Sequence, residues 1–249
     1  MKTKLCVFLV IILSCPIFNW ASTNLDSLNK LLDHTKDDTS IIDLRLELSK
    51  VLRAANDTNL LDHLQGTIEL AQNTKRPDYI GRSYEAMGLY FYDNHNFNKS
   101  IENLKISASF LEKSDQKSRL AGVLNQIGIV YSKLGFQFDA LTKFTEVLEI
   151  RKSLSDSIGI SSVYNNFGNV YKDLENYELA ETFYQKSLSI KGGYKTESSL
   201  ARIIDNLGLV ALAMNQLGLA KERFEKVIHI RQNLGQIENL STSYTNLGV

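Results

Sequence analysis

Proline is nearly missing from this chain: Pro16 and Pro77 are the two in 249 residues. Proline inside a helix removes a hydrogen bond and clashes with the preceding turn, so its scarcity suits a chain that is helical throughout. No stretch after residue 22 alternates with period two for long enough to suggest a sheet. Cysteine is as scarce, and both Cys6 and Cys15 fall in the N-terminal segment, which leaves the rest of the chain without disulfide or thiolate chemistry. Net charge is absent too, with 28 lysines and arginines against 28 aspartates and glutamates. Such a balance provides no field that would draw nucleic acid or an anionic membrane. The four histidines, His34, His63, His95 and His229, show no zinc-ligand spacing and read as surface or turn residues. Gly192-Gly193 lacks the lysine and hydroxyl residue of a phosphate loop and reads as a turn between helices. Acids such as Asp173 and Glu175 read as a solvated face. These absences predict no enzyme within this chain, no metal and no cofactor.

The N-terminus carries Lys2 and Lys4 ahead of an unbroken apolar run from Leu5 to Leu13, too short for a stable membrane anchor. This predicts an export signal over residues 1–22, cut near Ala21 and Ser22. A rival reading takes Ile12-Leu13-Ser14-Cys15 as similar to a bacterial lipobox with a lipidated cysteine. Pro16 after that cysteine favours simple cleavage. Either way the expected location is the periplasm or the periplasmic face of a membrane. Membrane contact is expected only through lipid on Cys15 or through a helix beyond residue 249.

Glycine, by contrast, recurs on a period. Gly88, Gly128, Gly168, Gly208 and Gly248 are each forty residues apart. With the glycine as position 8, position 4 is Tyr84, Leu124, Tyr164, Ile204 and Tyr244, and position 7 is Met87, Ile127, Phe167, Leu207 and Leu247. Position 11 is Phe91, Tyr131, Tyr171 and Ala211. Those positions share one helical face. After a turn near Gly135, Asn176 or Gln216, a second amphipathic run places Ser100, Ala140, Ala180 and Ala220 at position 20, and Leu104, Phe144, Tyr184 and Phe224 at position 24. A glycine in a helix interior costs about 1 kcal/mol relative to alanine. The offsetting gain is expected where the glycine of the first helix meets the alanine of the second at a close crossing. One hairpin cannot bury its own apolar face, so hairpins must stack.

The pattern Tyr164, Phe167-Gly168, Tyr171, Ala180, Tyr184 and Ser187 resembles the tetratricopeptide repeat, in its longer subclass of forty residues. Ile150-Arg151-Lys152, Ile230-Arg231-Gln232 and the recurring Asn-x-Gly of Asn166-Phe167-Gly168, Asn206-Leu207-Gly208 and Asn246-Leu247-Gly248 fit that subclass. The resemblance implies an all-α solenoid, a right-handed superhelix of antiparallel hairpins. It divides the chain into a capping helix and turn at 23–40, a degenerate unit at 41–80, four units at 81–120, 121–160, 161–200 and 201–240, and the start of another at 241–249. Ser107, Val147, Ser187 and Val227 stand at position 27 where the family prefers alanine, and Ala211 where an aromatic is usual, which implies weaker contacts there. In the degenerate unit Leu48 replaces the glycine. Ahead of it, Leu25, Leu28, Leu31 and Leu32 form the stripe of a covering helix, and Asp37-Asp38-Thr39-Ser40 reads as a turn with a helix cap. Val249 falls in mid-helix of a fifth strong unit, which predicts a longer protein.

In such stacks the first helices line the concave side. Positions 5 and 6 there hold Asn125, Gln126, Asn165, Asn166, Asp205, Asn206 and Asn246, with Asn169 and Lys172 extending the strip. Carboxamides donate and accept, so they match a peptide backbone and could clamp an extended protein or peptide partner, with Tyr92 and Leu209 or Leu212 adding apolar contact. They could equally bridge neighbouring helices. The lysine and asparagine set with which some family members hold a C-terminal carboxylate is not evident in the spacing. The order of leader, leucine-rich cap, degenerate unit and repeats also resembles the exported sensory half of bacterial signalling proteins, with a histidine-kinase or DNA-binding output beyond residue 249. A free-standing or lipid-anchored adaptor, and the repeat region of an enzyme whose active domain lies elsewhere, are the other expectations.

Overall fold

The structure is a computed structural model that describes residues 17–190, 196–235 and 237–248. The leader features from Lys2 to Pro16, the Gly192-Gly193 turn and Val249 lie outside the described residues. Regular structure among the described residues is helical, in the order α1 (Ile17–His34), α2 (Asp38–Ala54), α3 (Leu60–Asn73), α4 (Pro77–Asp93), α5 (Phe97–Leu111), α6 (Lys117–Lys133), α7 (Gln137–Ser153), α8 (Ser157–Asp173), α9 (Tyr177–Ser189), α10 (Glu197–Ala213), α11 (Leu217–Asn233) and α12 (Ile237–Leu247). No described helix is long and apolar enough to cross a membrane.

The helix ends follow from short polar residues and from one strained turn position. The side chains of Asp37, Asn96, Asp156, Asn176 and Thr196 each accept a backbone N–H at the start of a helix, a cap that supplies one of the four orphan donors there. Inside each hairpin the chain reverses through a left-handed residue, at His95, Gly135, Glu175 and Asn215, again forty residues apart. Glycine fills that conformation only at Gly135 (φ +82°); the others carry a side chain there, at about 1–2 kcal/mol each.

The chain forms two compact units, residues 1–116 and 117–249. In the first, α1 lays Leu25, Leu28 and Leu32 against a cluster of Leu48, Leu52, Leu60, Leu64 and Met87. Leu31 departs from the expected stripe and faces outward. Leu48, at the place of the missing glycine, is itself buried in that cluster.

In the second unit, α6–α7, α8–α9 and α10–α11 are antiparallel hairpins, and α12 packs on α11. The crossing differs in detail from the sequence expectation. A Cβ placed on Gly128, Gly168 or Gly208 would lie 2.6, 2.5 or 2.5 Å from the ring of Phe144, Tyr184 or Phe224, and one on Gly88 in the first unit 2.7 Å from Leu104. The glycine therefore makes room for the large residue sixteen positions on, at position 24. The small residue at position 20 lies over the glycine's carbonyl: Ser100 Oγ donates to Gly88 O at 2.8 Å. Ala140, Ala180 and Ala220 are buried at the equivalent position, and Ala180 also packs with Ile203, Leu207 and Val210 of the following hairpin. Gly248 does not repeat the pattern. It sits past the end of α12 at φ +80°, where a Cβ would meet nothing within 4 Å.

Position 27 is also corrected. Serine there does not weaken the crossing, since Ser107 Oγ donates to Gly81 O and Ser187 Oγ to Ser161 O, each at 2.7 Å. A fully buried hydroxyl with a carbonyl partner adds about 0.5–1.5 kcal/mol.

Of the histidines, His63 is not a surface residue. It is half-buried on α3, and Nε2 donates to Arg45 O of α2 at 2.8 Å. Burial, reinforced by the neighbouring Arg45 charge, pushes its pKa below the ordinary histidine value, although the carbonyl bond works the other way. The unfolded chain thus binds the proton more readily than the folded one. Stability contributed by neutral His63 is full above about pH 6.5 and declines as the pH falls through the depressed folded value. The thermal midpoint of the wild type should drop more steeply between neutral and mildly acid pH than that of His63→Gln. Parallel pH curves for the two would refute this.

Candidate functional site

The first helices of the hairpins in the second unit, α6, α8, α10 and then α12, carry the predicted polar strip on adjoining faces. Its amides are connected from one helix to the next. Asn166 Nδ2 donates to Asn125 Oδ1 (2.8 Å), Asn206 Nδ2 to Asn165 Oδ1 (3.1 Å) and Asn246 Nδ2 to Asp205 Oδ1 (3.2 Å). Each bond joins position 6 of one unit to position 5 of the unit before it. This is the bridging arrangement, in which the carboxamides set the spacing of neighbouring hairpins. Asn165 is drawn inward to 3% exposure, so its amide belongs to the helix contact and not to open surface. Asp205 is also engaged by Arg231 Nη2 at 3.0 Å. Gln126 is half-buried on α6.

Between α6 and α8 the strip opens into a cleft of about 270 Å³. Ile129, Phe144 and Val170 supply its apolar lining, and Ser132, Lys133, Asn166, Asn169, Lys172 and Asp173 its polar groups. Asn169 is held firmly: its Oδ1 accepts from Tyr184 Oη at 2.7 Å and from Asn206 Nδ2 at 3.3 Å. With that oxygen doubly occupied, the amide's donors are what Asn169 has left to offer. Burial pushes the Tyr184 phenol well above its ordinary range, so it stays a neutral donor. Lys172 Nζ lies 4.0 Å from Asp173 Oδ1, a loose pair that leaves the ammonium able to meet a second acceptor.

Three of the predicted strip residues, Asn166, Asn169 and Lys172, therefore meet at one cleft, while Asn125, Asn165, Asp205, Asn206 and Asn246 serve contacts between units. Tyr92 belongs to the other compact unit and packs on Phe97 at 5.7 Å. Leu212 is exposed on α10, and Leu209 is half-buried against the Phe224 cluster. Sequence reasoning missed Lys133 and Ser132, and it assigned Asp173 to plain surface. Lys133 and Lys172 are 39 residues apart and hold positions 13 and 12 of successive units. Reading each unit alone separates them. Helix packing puts two lysines and two carboxamides around one opening, an assembly the spacing did not suggest.

Residues 119–192 match the tetratricopeptide repeat family. The whole cleft falls inside the matched segment. No curated protein matches the chain. Among solved structures, the chain is similar to BtubC (BKLC) from P. vanneervenii, at 18% identity and a TM-score of 0.73, covering 86% of this chain and 89% of that one. It is similar to a signal-transduction ATPase with numerous domains and a tetratricopeptide repeat sensor from Pyrococcus horikoshii, at 16% identity and a TM-score of 0.73, covering 84% of this chain and 33% of that larger protein. A Rap protein complexed with competence and sporulation factor is similar at 14% identity and a TM-score of 0.60, covering 91% of this chain and 75% of that one. At these identities the likeness is one of fold: an all-α stack of tetratricopeptide-repeat-like hairpins.

Proposed function

We propose that the chain is a scaffold that binds a protein or extended peptide on the first-helix face of its repeats, anchoring an acidic group of the partner in the cleft between α6 and α8. The observation that carries this reading is the convergence of Lys133, Lys172 and the remaining N–H donors of Asn166 and Asn169 on one opening with an apolar floor. Those groups offer N–H donors and positive charge, which a carboxylate accepts. A backbone carbonyl beside it satisfies a carboxamide. The Rap protein of similar fold was captured with a bound factor, which agrees with a binding role for this architecture.

Selection of displayed random peptides on the intact chain tests the proposal. Recovered sequences should be enriched in aspartate and glutamate. Lys172→Ala should weaken their binding about tenfold, the value of one charge-assisted contact at a partly exposed site, with helical content unchanged. Asn166→Ala should instead lower stability by about 1 kcal/mol, through loss of the bridge to Asn125. Peptides without acidic bias, or binding indifferent to Lys172, would refute the anchor.

The chain is further proposed to be exported by its N-terminal segment and to act as the sensory or interaction region of a larger bacterial signalling protein. Support comes from Lys2, Lys4 and the Leu5–Leu13 run, and from the likeness in fold to part of a Pyrococcus signal-transduction ATPase that has a tetratricopeptide repeat sensor. Fusion of residues 1–22 to a reporter active only outside the cytoplasm should yield activity that Leu9→Arg abolishes. Equal activity of both fusions would remove the export reading.

A further inference from the structure

The repeat is its own control. Positions 16 and 18, where each second helix begins, are solvent-facing and polar or glycine in three of the four units: Asn96, Asn176 and Gln216 at the first, Asn98, Glu178 and Gly218 at the second. The unit of α6 and α7 has Phe136 and Phe138 instead. Phe136 is only half covered by the fold, and Phe138 hardly at all. Asn96 and Asn176 cap their helices through the side chain, whereas Phe136 forgoes that cap. The Phe136 ring rests edge-on against Tyr131 at 6.2 Å yet remains 52% exposed, and Phe138 is 80% exposed. Single exposed leucines are ordinary on a protein surface, but a phenylalanine standing almost fully in water beside a second one is not. On the equivalent turn of the next hairpin, Leu174 and Leu179 are also exposed, so the apolar edge continues along the stack.

The charge around this edge selects the partner. Beside these apolar side chains stand Asp139, Glu175 and Glu178, whereas Lys133 and Asp173 line the cleft, where Asp173 pairs with Lys172. Three carboxylates with no ammonium among them repel an anionic lipid surface and attract a basic partner. We propose that the turn edge led by Phe138 is a second docking site, separate from the α6–α8 cleft, for an amphipathic protein segment that sets apolar side chains on Phe138, Phe136 and Leu174 and flanks them with lysine or arginine.

A synthetic amphipathic peptide of leucine and lysine, its counterpart with glutamate for lysine, and anionic phospholipid vesicles are the probes, used with the intact chain. The leucine–lysine peptide should bind, more weakly as salt rises. Phe138→Asn, which installs the residue of the first unit, should weaken it about tenfold, as loss of a central apolar anchor does. Phe138→Leu should retain most of the binding, and Glu175→Gln should reduce it. Because Phe138 is exposed, circular dichroism should not distinguish these variants. Equal binding of the glutamate peptide would overturn the proposal. So would binding untouched by Phe138→Asn, sedimentation of the chain with the vesicles, or a self-association that Phe138→Asn abolishes.

Discussion

Gly168→Ala lowers the thermal midpoint, although alanine is the better helix former by about 1 kcal/mol. The new methyl would lie 2.5 Å from Cε1 and 2.6 Å from Cδ1 of Tyr184. That ring is fully buried, and its hydroxyl donates to Asn169 at 2.7 Å, so it cannot retreat without breaking a bond that shapes the cleft. Overpacking of this kind costs about 1–3 kcal/mol beyond what the helix gains. For a chain of this size that corresponds to a fall of about 2–12 °C. Gly168→Leu should fall further. Gly218→Ala is the matched control. It lies in the first turn of α11 with nothing within 4 Å of the new Cβ, and it should gain about 0.4–1 kcal/mol. Equal responses at Gly168 and Gly218 would show that the crossing is not what requires the glycine.

Arg231→Leu produces the largest loss of stability expected in the chain. The guanidinium and the Asp205 carboxylate are 10% and 13% exposed and 3.0 Å apart. Arg231 also donates to Ser243 of α12, while the other Asp205 oxygen accepts from Asn246. One ion pair thus ties α10, α11 and α12 together. Removing the cation leaves a carboxylate with little solvent and one amide partner, a change that costs about 3–5 kcal/mol. Asparagine stands at the equivalent ladder position in Asn125 and Asn165. The double variant Arg231→Leu with Asp205→Asn should therefore recover most of the loss, since the ladder bond from Asn246 survives and no buried charge remains. Urea denaturation of the single and double variants reads the coupling directly. A single-variant loss under about 1 kcal/mol, or strictly additive effects, would place the pair among surface bridges of little consequence.

The helical reading was legible because it depends on local periodicity. Tyr164, Phe167, Gly168 and Tyr171 sit on one face of any helix that contains them, whatever packs against it. The need for a small residue at a crossing was legible for the same reason. Its partner was not. Tyr184 rather than Ala180 fills the space over Gly168, and that choice depends on the rotation of α9 about its own axis, which no local pattern specifies. His63 was misplaced on similar grounds, because the carbonyl it meets, that of Arg45, belongs to another helix.

The polar strip divides in the same way. An asparagine can bridge or bind with equal chemical ease, so Asn165 and Asn166 look alike in sequence. Packing separates them: both bridge, but Asn165 is turned inward to Asn206, whereas Asn166 bridges to Asn125 and still lines the cleft. Lys133 joins Lys172 only when two hairpins are laid side by side.

The forty-residue spacing of glycine, aromatic and alanine was enough by itself to determine helices, hairpins and stacking, because those follow from turn geometry and from volume at a repeated contact. Which amides are used up between hairpins, which lysines share an opening, and which phenylalanine is left in water were decided only by tertiary structure. Each of those outcomes depends on distances between side chains about forty residues apart, and such distances exist only once the hairpins have packed.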